Sequence, residues 1–278
     1  MGSPTLRVAR LALYFAWTAA LMPVQVIGLA LDCRWTRTLP VFYHTQCCRI
    51  LGFRIRVVGK PATGRPVLFA ANHISYADIT VLGSIIAGSF IAKTEVADWP
   101  FFGWLAKLQR SVFVDRRVRS TATQREAISK RLAAGDALIL FPEGTSGDGN
   151  RVLPFKSALF DAAEQSSSLS PVIVQPVSIA YTRLDGMPIG RLYRPFFAWY
   201  GAVDLAPHIW SMIGLGTVEV VVEFHPPTFF SDCGSRKALA AYCYARIAGG
   251  LAGALFGRPQ PMPEPPPRGG RGGLPAVA

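Results

Sequence analysis

The chain is poor in the groupings that metal and thiol chemistry require. Its four histidines, His44, His73, His208 and His225, are scattered. A catalytic or structural metal site needs clustered ligands instead, and His225 near Glu223 reads as strand alternation. The five cysteines, Cys33, Cys47, Cys48, Cys233 and Cys243, are odd in number, contain no Cys-x-x-Cys and include one adjacent pair. That pattern fits neither a disulfide framework nor a zinc site, and it points to a reducing compartment. No Gly-x-Ser-x-Gly elbow occurs, so a serine hydrolase of that type is excluded. Walker A and dinucleotide fingerprints are missing as well. Acid is scarce: 17 Asp and Glu stand against 29 Lys and Arg, for a net charge of +12. A basic excess favours anionic partners. With no nucleic-acid motif in view, the membrane surface is preferred to nucleic acid.

Half of the residues are apolar, and 278 residues are enough to bury a full core. Leu11 to Leu31 carries no charge. At the α-helical rise it spans roughly 30 Å, a bilayer core. Arg7 and Arg10 precede it and Arg34 and Arg37 follow, so charge sets no orientation. Leu39 to Phe53 is apolar but broken by His44, Gln46 and Arg49, and it reads as interfacial. One anchor or an embedded hairpin are both open. Residues 1–50 are thus expected to be a membrane-associated helical segment. Residues 51–257 form one catalytic domain, and the Pro/Gly-rich stretch 258–278 is a disordered tail. Strands alternate with helices after residue 53. The pattern predicts an α/β fold, a mixed, largely parallel sheet flanked by helices. Pro176, inside the strand expected over 172–181, argues for an edge or a bulge. Asp98 and Pro100 read as the start of a helix that is either buried or touching lipid, with burial preferred. Phe155 to Gln165 reads as a further helix, and residues 182–216 as a long aromatic insertion.

The chain is organised around Asn72-His73-Ile74-Ser75-Tyr76-Ala77-Asp78. An apolar strand, Pro66 to Ala71, leads into it, and a helix begins after it. Strand-to-helix junctions are where α/β sheets place chemistry. Ser75 and Asp78 fit a helix start. If Asp78 lies in the first turn, the imidazole of His73 can fold back onto it, leaving the second ring nitrogen free as a base. A plain cap with an ordinary loop histidine satisfies the same seven residues.

Three further stretches follow: Val112-Phe113-Val114-Asp115-Arg116, then Phe141-Pro142-Glu143-Gly144-Thr145, then Val174 to Ile179 with a central proline. In this order, over about residues 50–225, the set resembles the lysophosphatidate acyltransferase family of glycerolipid acyltransferases. The resemblance implies that His73 is the catalytic base and Asp78 its orienter. It assigns Asn72, Lys93, Arg116, Glu143, Gly144 and Thr145 to substrate binding, with Lys93 and Arg116 facing a phosphate-bearing acceptor. On the residues alone, Lys93 also fits a solvated lysine, Glu143 a solvated turn, and Asp115 a structural partner of Arg116. The implied reaction moves a fatty acyl group from an acyl carrier protein or acyl-CoA thioester to a lysolipid hydroxyl, with no cofactor or metal. The implied location, for a bacterial source, is the cytoplasmic face of the inner membrane.

Two departures bear on the acceptor. The family usually continues Phe-Pro-Glu-Gly-Thr with a phosphate-binding Arg; here Ser146 follows, then Gly147, Asp148 and Gly149. Members also often carry Gly where this chain has Arg110. Either Arg110 replaces the lost charge, or the acceptor lacks a phosphate monoester, as in the lyso-ornithine lipid branch of the family. In the second case Asp148 and Glu143 become partners of a zwitterionic or cationic head group. The remaining motifs favour lysophosphatidate. A non-catalytic lipid-binding module is the competing class, and it has no need of His73 with Asp78.

Overall fold

A computed structural model describes residues 2–64, 66–114, 122–161 and 171–257, with the backbone alone for 122–125. Its centre is the strand β2 (Val67–Ala71), in which every residue is buried. Burial on both faces is what a short continuous apolar run in a parallel sheet requires. Successive side chains point to opposite faces. Val67, Phe69 and Ala71 enter one core, and Leu68 and Ala70 the other.

Around β2 lie β1 (Phe53–Val58), β3 (Ser89–Lys93), β4 (Val112–Val114), β5 (Ala137–Leu140), β6 (Ile173–Leu184) and β8 (Val218–Phe224). Their order is β1-β8-β6-β2-β5-β3-β4. The pairs from β6 to β4 are parallel, and so is β1 with β8; β6 with β8 is antiparallel. The sheet is therefore mixed and largely parallel, as expected. Two short strands, β7 (Met187–Pro188) and β9 (Thr228–Phe229), attach to β6.

Helices cover both faces. On the first lie α2 (Leu39–Leu51) and α3 (Ala77–Gly83), which meet so closely that a Cβ on Gly83 would stand 2.5 Å from the His44 ring. On the second lie α5 (Ala122–Ala133), with Ile128 and Leu132 inward, and α8 (Arg236–Phe256), with Leu239, Cys243, Ile247 and Leu251 buried. Ser235 caps α8 by accepting from the Ala238 amide at 3.2 Å. A helical turn, α7 (Phe230–Cys233), precedes it.

The N-terminal helix α1 (Pro4–Ala30) runs through Pro23 and is about 40 Å long at the α-helical rise. It pairs antiparallel with α2: Thr18 meets the Tyr43 hydroxyl at 2.9 Å, and the Trp17 indole donates to the Tyr43 carbonyl at 3.3 Å. Arg10 fastens it to the domain by donating to the carbonyls of Ile213, Leu215 and Gly216. Val8, Leu13, Val26 and Ile27 stay exposed on its outer side.

Several expectations need correction. Pro176 lies at the centre of the sheet, paired with Ala70. The β8 ladder begins only at Val177, and β9 pairs only as far as Val174. Pro176 thus occupies the gap where β6 changes partners, so its missing N–H breaks no ladder bond there, while its carbonyl accepts from the His225 amide at 3.0 Å. The Gln175 side chain seals the gap by donating to the carbonyls of Lys60 and His225 and accepting from the Ala62 amide. The helix expected from Pro100 begins later, as α4 (Phe102–Leu108), and only Gly103 in it is buried. A 3-10 turn, Ser157–Phe160, stands where a helix was expected from Phe155, and residues 162–170 lie outside the described residues. The aromatic insertion contains the β7 hairpin and a helix, α6 (Leu205–Met212). The helical pattern from Ser120 to Ala134 turns Arg131 outward to solvent, yet in the structure it is bonded to Asp136, the Arg110 carbonyl and the Ser89 hydroxyl. The expected tail, residues 258–278, is outside the described residues.

Candidate active site

β2 and β5 are parallel neighbours that end together, Ala70 opposite Leu140. Their carboxyl ends therefore bring the His73 loop beside the Phe141–Thr145 turn. The turn grips the loop. The Glu143 carboxylate accepts from the His73 amide at 2.6 Å and from the Leu153 amide at 2.8 Å. The Gly147 amide donates to the His73 carbonyl at 2.9 Å. The Phe141 ring stacks on the imidazole, with centroids 4.1 Å apart and planes 19° from parallel. Two motifs separated by 70 positions thus build one rigid pedestal.

His73 Nδ1 lies 2.9 Å from Asp78 Oδ2. The same oxygen accepts from the amides of Ile74 at 2.6 Å and Ser75 at 2.9 Å, and Oδ1 accepts from the Tyr181 hydroxyl at 2.9 Å. Asp78 is fully buried. A buried carboxylate is stable only when paired and hydrogen-bonded, and all four of these contacts meet that need. Asp78 lies in the first turn of α3 as expected, but it reaches back to the preceding loop instead of capping its own helix. Tyr76, not Ser75, is the N-cap, and Ser75 Oγ makes only a long contact of 3.4 Å with the Ala77 amide. The acceptor at Nδ1 fixes the tautomer that carries its proton there, so Nε2 is left as the basic nitrogen. Burial lifts the phenol of Tyr181 well above its ordinary range, which keeps it a donor to Asp78.

The imidazole faces a cavity of about 950 Å³. Leu11, Tyr14, Thr18, Leu21 and Gln25 of α1 line one side of it, and residues of α2, α3, α4, α6, β3 and the loops that end β2 and β5 line others. A long apolar cleft with one basic nitrogen in its wall suits chemistry at the head of a hydrocarbon chain.

The expected site residues divide. His73 and Asp78 form the dyad. Gly144 and Thr145 line the cavity, and Gly144 holds a φ of +75°, which favours glycine. Lys93, exposed at the end of β3, also lines it. Asn72 does not: its amide donates to the Ile179 carbonyl at 3.0 Å and accepts from the Ile179 amide at 2.8 Å, clamping the loop to β6. Glu143 is buried beneath the loop. Burial pushes its carboxyl up to about 8, with the two amides opposing. Both are positioning residues in this geometry. Arg116 lies outside the described residues.

Arg110 does not line the cavity; it pairs with Asp136 at 3.4 Å, at a φ of +59°. That backbone conformation lies in the left-handed region that favours glycine. Asp148 accepts from Asn150 and is also away from the cavity. The idea of Arg110 as a replacement cation, and of Asp148 and Glu143 as head-group partners, is therefore withdrawn. Tyr181 was not anticipated, because a buried tyrosine in a strand carries no local sequence signal. Among the described residues, no group of three or more His, Cys, Asp and Glu is placed to hold a metal ion.

Comparisons with known proteins identify the family. A family model described as Acyltransferase matches residues 54–180. A lyso-ornithine lipid O-acyltransferase of Brucella abortus (strain 2308) is 48% identical over 250 residues, covering 88% of this chain and 94% of that protein. The chain belongs to the acyltransferase family. A 1-acyl-sn-glycerol-3-phosphate acyltransferase of Neisseria gonorrhoeae is 32% identical over 170 residues, covering 60% of this chain and 63% of that one. The crystal structure of a 1-acyl-sn-glycerophosphate acyltransferase from Thermotoga maritima superposes with a TM-score of 0.64 over 88% of this chain and 96% of that chain. At 22% identity it supports the fold alone. The acyltransferase carries its dyad at the carboxyl end of the central strands, inside the matched segment, and acts on lysolipids.

Proposed function

We propose that this acyltransferase moves a fatty acyl group from an acyl thioester to the free hydroxyl of a lyso-ornithine lipid. The observation that carries the choice of acceptor is the difference in similarity. The relative named for lyso-ornithine lipid shares 48% over 250 residues, and the one named for acylglycerol phosphate 32% over 170. This reverses the preference for lysophosphatidate drawn from the motifs. The site supports the reversal, since Ser146 donates its hydroxyl to the Trp199 carbonyl and brings no cation. The cations on the described cavity lining are Lys93 and Arg10, and Arg10 is engaged with the carbonyls of Ile213, Leu215 and Gly216, so a phosphate dianion has fewer charge-assisted partners than an arginine at position 146 would give it.

His73 Nε2 takes the proton of the acceptor hydroxyl as its oxygen attacks the thioester carbonyl carbon. The C–S bond then breaks, and the leaving thiolate takes the proton from the imidazolium. Asp78 balances the charge on His73 between the two steps. Because a thioester is already activated, no enzyme nucleophile is needed.

α1 is one of two described helices long and apolar enough to cross a bilayer; the other, α8, packs along the sheet. The reading places α1 and the exposed Trp104 of α4 in or against the membrane, where lysolipid enters the cavity from the lipid phase. Acyl carrier protein or acyl-CoA then supplies the thioester from the aqueous side. The test offers purified enzyme an acyl thioester with lyso-ornithine lipid or lysophosphatidate and measures kcat/KM for each by product mass spectrometry. A clear preference for lyso-ornithine lipid is expected. Acylation of lysophosphatidate alone would overturn the acceptor assignment.

A further inference from the structure

The rim of the cavity near His73 is aromatic. Trp99 precedes α4, and Trp199 and Tyr200 belong to the segment before α6; all three line the cavity. The indoles of Trp99 and Trp199 stand 85° apart with centroids at 5.7 Å, so their planes make a corner. Tyr200, the next residue in the chain after Trp199 and also on the cavity lining, is 39% exposed. The corner is fixed to the catalytic loop, because the Trp199 amide donates to the carbonyl of Ile74, the residue after His73, at 2.9 Å. It is also fixed to Ser146, whose hydroxyl donates to the Trp199 carbonyl. The residue standing where related enzymes place a phosphate-binding arginine is thus spent on holding an indole.

No Asp or Glu is among the described residues that line this cavity. A cationic head group entering it finds no carboxylate. A Lys-type ammonium over the face of a Trp or Tyr ring within about 6 Å is attracted by the ring quadrupole, the same attraction by which aromatic cages hold quaternary ammonium ligands. We propose that Trp99, Trp199 and Tyr200 form an aromatic cage for the primary ammonium of the acceptor's amino-acid head group. The inference rests on the acceptor reading above and adds the specificity-determining residues. Ser146 is then a positioning residue for Trp199.

The test compares lyso-ornithine lipid with the same lipid acetylated on its side-chain amine, an acceptor of similar size and identical hydroxyl that keeps its carboxylate but has lost the ammonium. Wild-type enzyme is expected to favour the ammonium form in kcat/KM by about 5- to 30-fold, the span of a partly to fully desolvated cation–π contact. Trp99→Leu should bring the ratio of the two towards one, chiefly through KM. Trp199→Phe, which keeps a ring face, should retain much of it. Equal use of both acceptors by the wild type, or an unchanged ratio in Trp99→Leu, overturns the cage and leaves the acceptor reading standing. Acylation of lysophosphatidate alone overturns the acceptor reading and the cage with it. The wild-type comparison needs no variant, so a folding defect in either substitution cannot rescue the idea.

Discussion

Replacing Asp78 by Asn removes one charge and almost nothing else. Two backbone amides, Ile74 and Ser75, converge on Oδ2. They hold the amide oxygen at that position, where it still accepts from His73 Nδ1. The new NH₂ then faces Tyr181 Oη, which can turn its proton away and accept. The tautomer and the fold are preserved, and the lost quantity is the attraction between carboxylate and imidazolium. At about 4 Å and an effective dielectric near 20 this is up to about 4 kcal/mol, or about 10³-fold in kcat. That is less than the ~10⁴-fold loss in a serine-protease triad where the same change also inverts the tautomer. Asp78→Ala is different. It leaves two amides, a phenol and an imidazole N–H buried without a partner, at about 1–3 kcal/mol each, enough to threaten a stability of about 5–15 kcal/mol. The assay is acceptor-dependent thiol release with circular dichroism melts alongside. Wild-type kcat in Asp78→Asn would refute the electrostatic role, and a collapsed melting temperature would refute the claim that the amide replaces the carboxylate.

Other consequences can be measured separately. Tyr181→Phe removes one of the four bonds to Asp78 and should lower kcat about 3- to 10-fold; loss of fold with no kinetic effect in the folded fraction would oppose this. Glu143 holds its proton up to about 8 in the native state but loses it near the ordinary carboxylate value when unfolded, so native stability falls as pH rises through that window. Glu143→Gln should flatten the dependence of Tm on pH between 5 and 8, and an unchanged slope counts against the assignment. Burial holds His225 neutral down to about 4, so its contribution is intact above the ordinary imidazole value and is lost as pH falls from there to about 4. Urea melts from pH 7 to 4 on His225→Gln should lose less stability than those on the wild type.

The sequence declares the parts of this protein whose causes are local. The β2 run, the strand-to-helix junction and the Phe141–Thr145 turn are legible because buried strands and tight turns draw on few residue types. Ile128 and Leu132 of α5 follow from helical periodicity. Other features depend on neighbours far along the chain. Pro176 reads as an edge residue until the change of partner from β9 to β8 is known. Arg131 reads as solvated until Asp136 and the Arg110 carbonyl are placed beside it. Glu143 and Asn72 lie in motifs that mark substrate sites, yet both turn inward to hold backbone, a direction of side chain that spacing does not encode. Tyr181 reaches Asp78 only because β6 lies next to β2. Trp199 is joined to Ile74, the residue after His73, through one backbone bond across 125 positions. Residue identities indicated the chemistry, and the sheet order decided which of them touch it.

The central claim is that His73 is the base for acyl transfer to a lysolipid hydroxyl. Its most direct test is the rate at which purified full-length protein releases thiol from an acyl thioester, with and without lyso-ornithine lipid, in wild type and His73→Ala. The account predicts release that depends on the acceptor and matches the acylated lipid formed. It predicts a fall of at least about 10²-fold in His73→Ala, in line with the contribution of a positioned general base, with an unchanged melting curve. Wild-type turnover in folded His73→Ala, or thiol release by the wild type that ignores the acceptor, would contradict it.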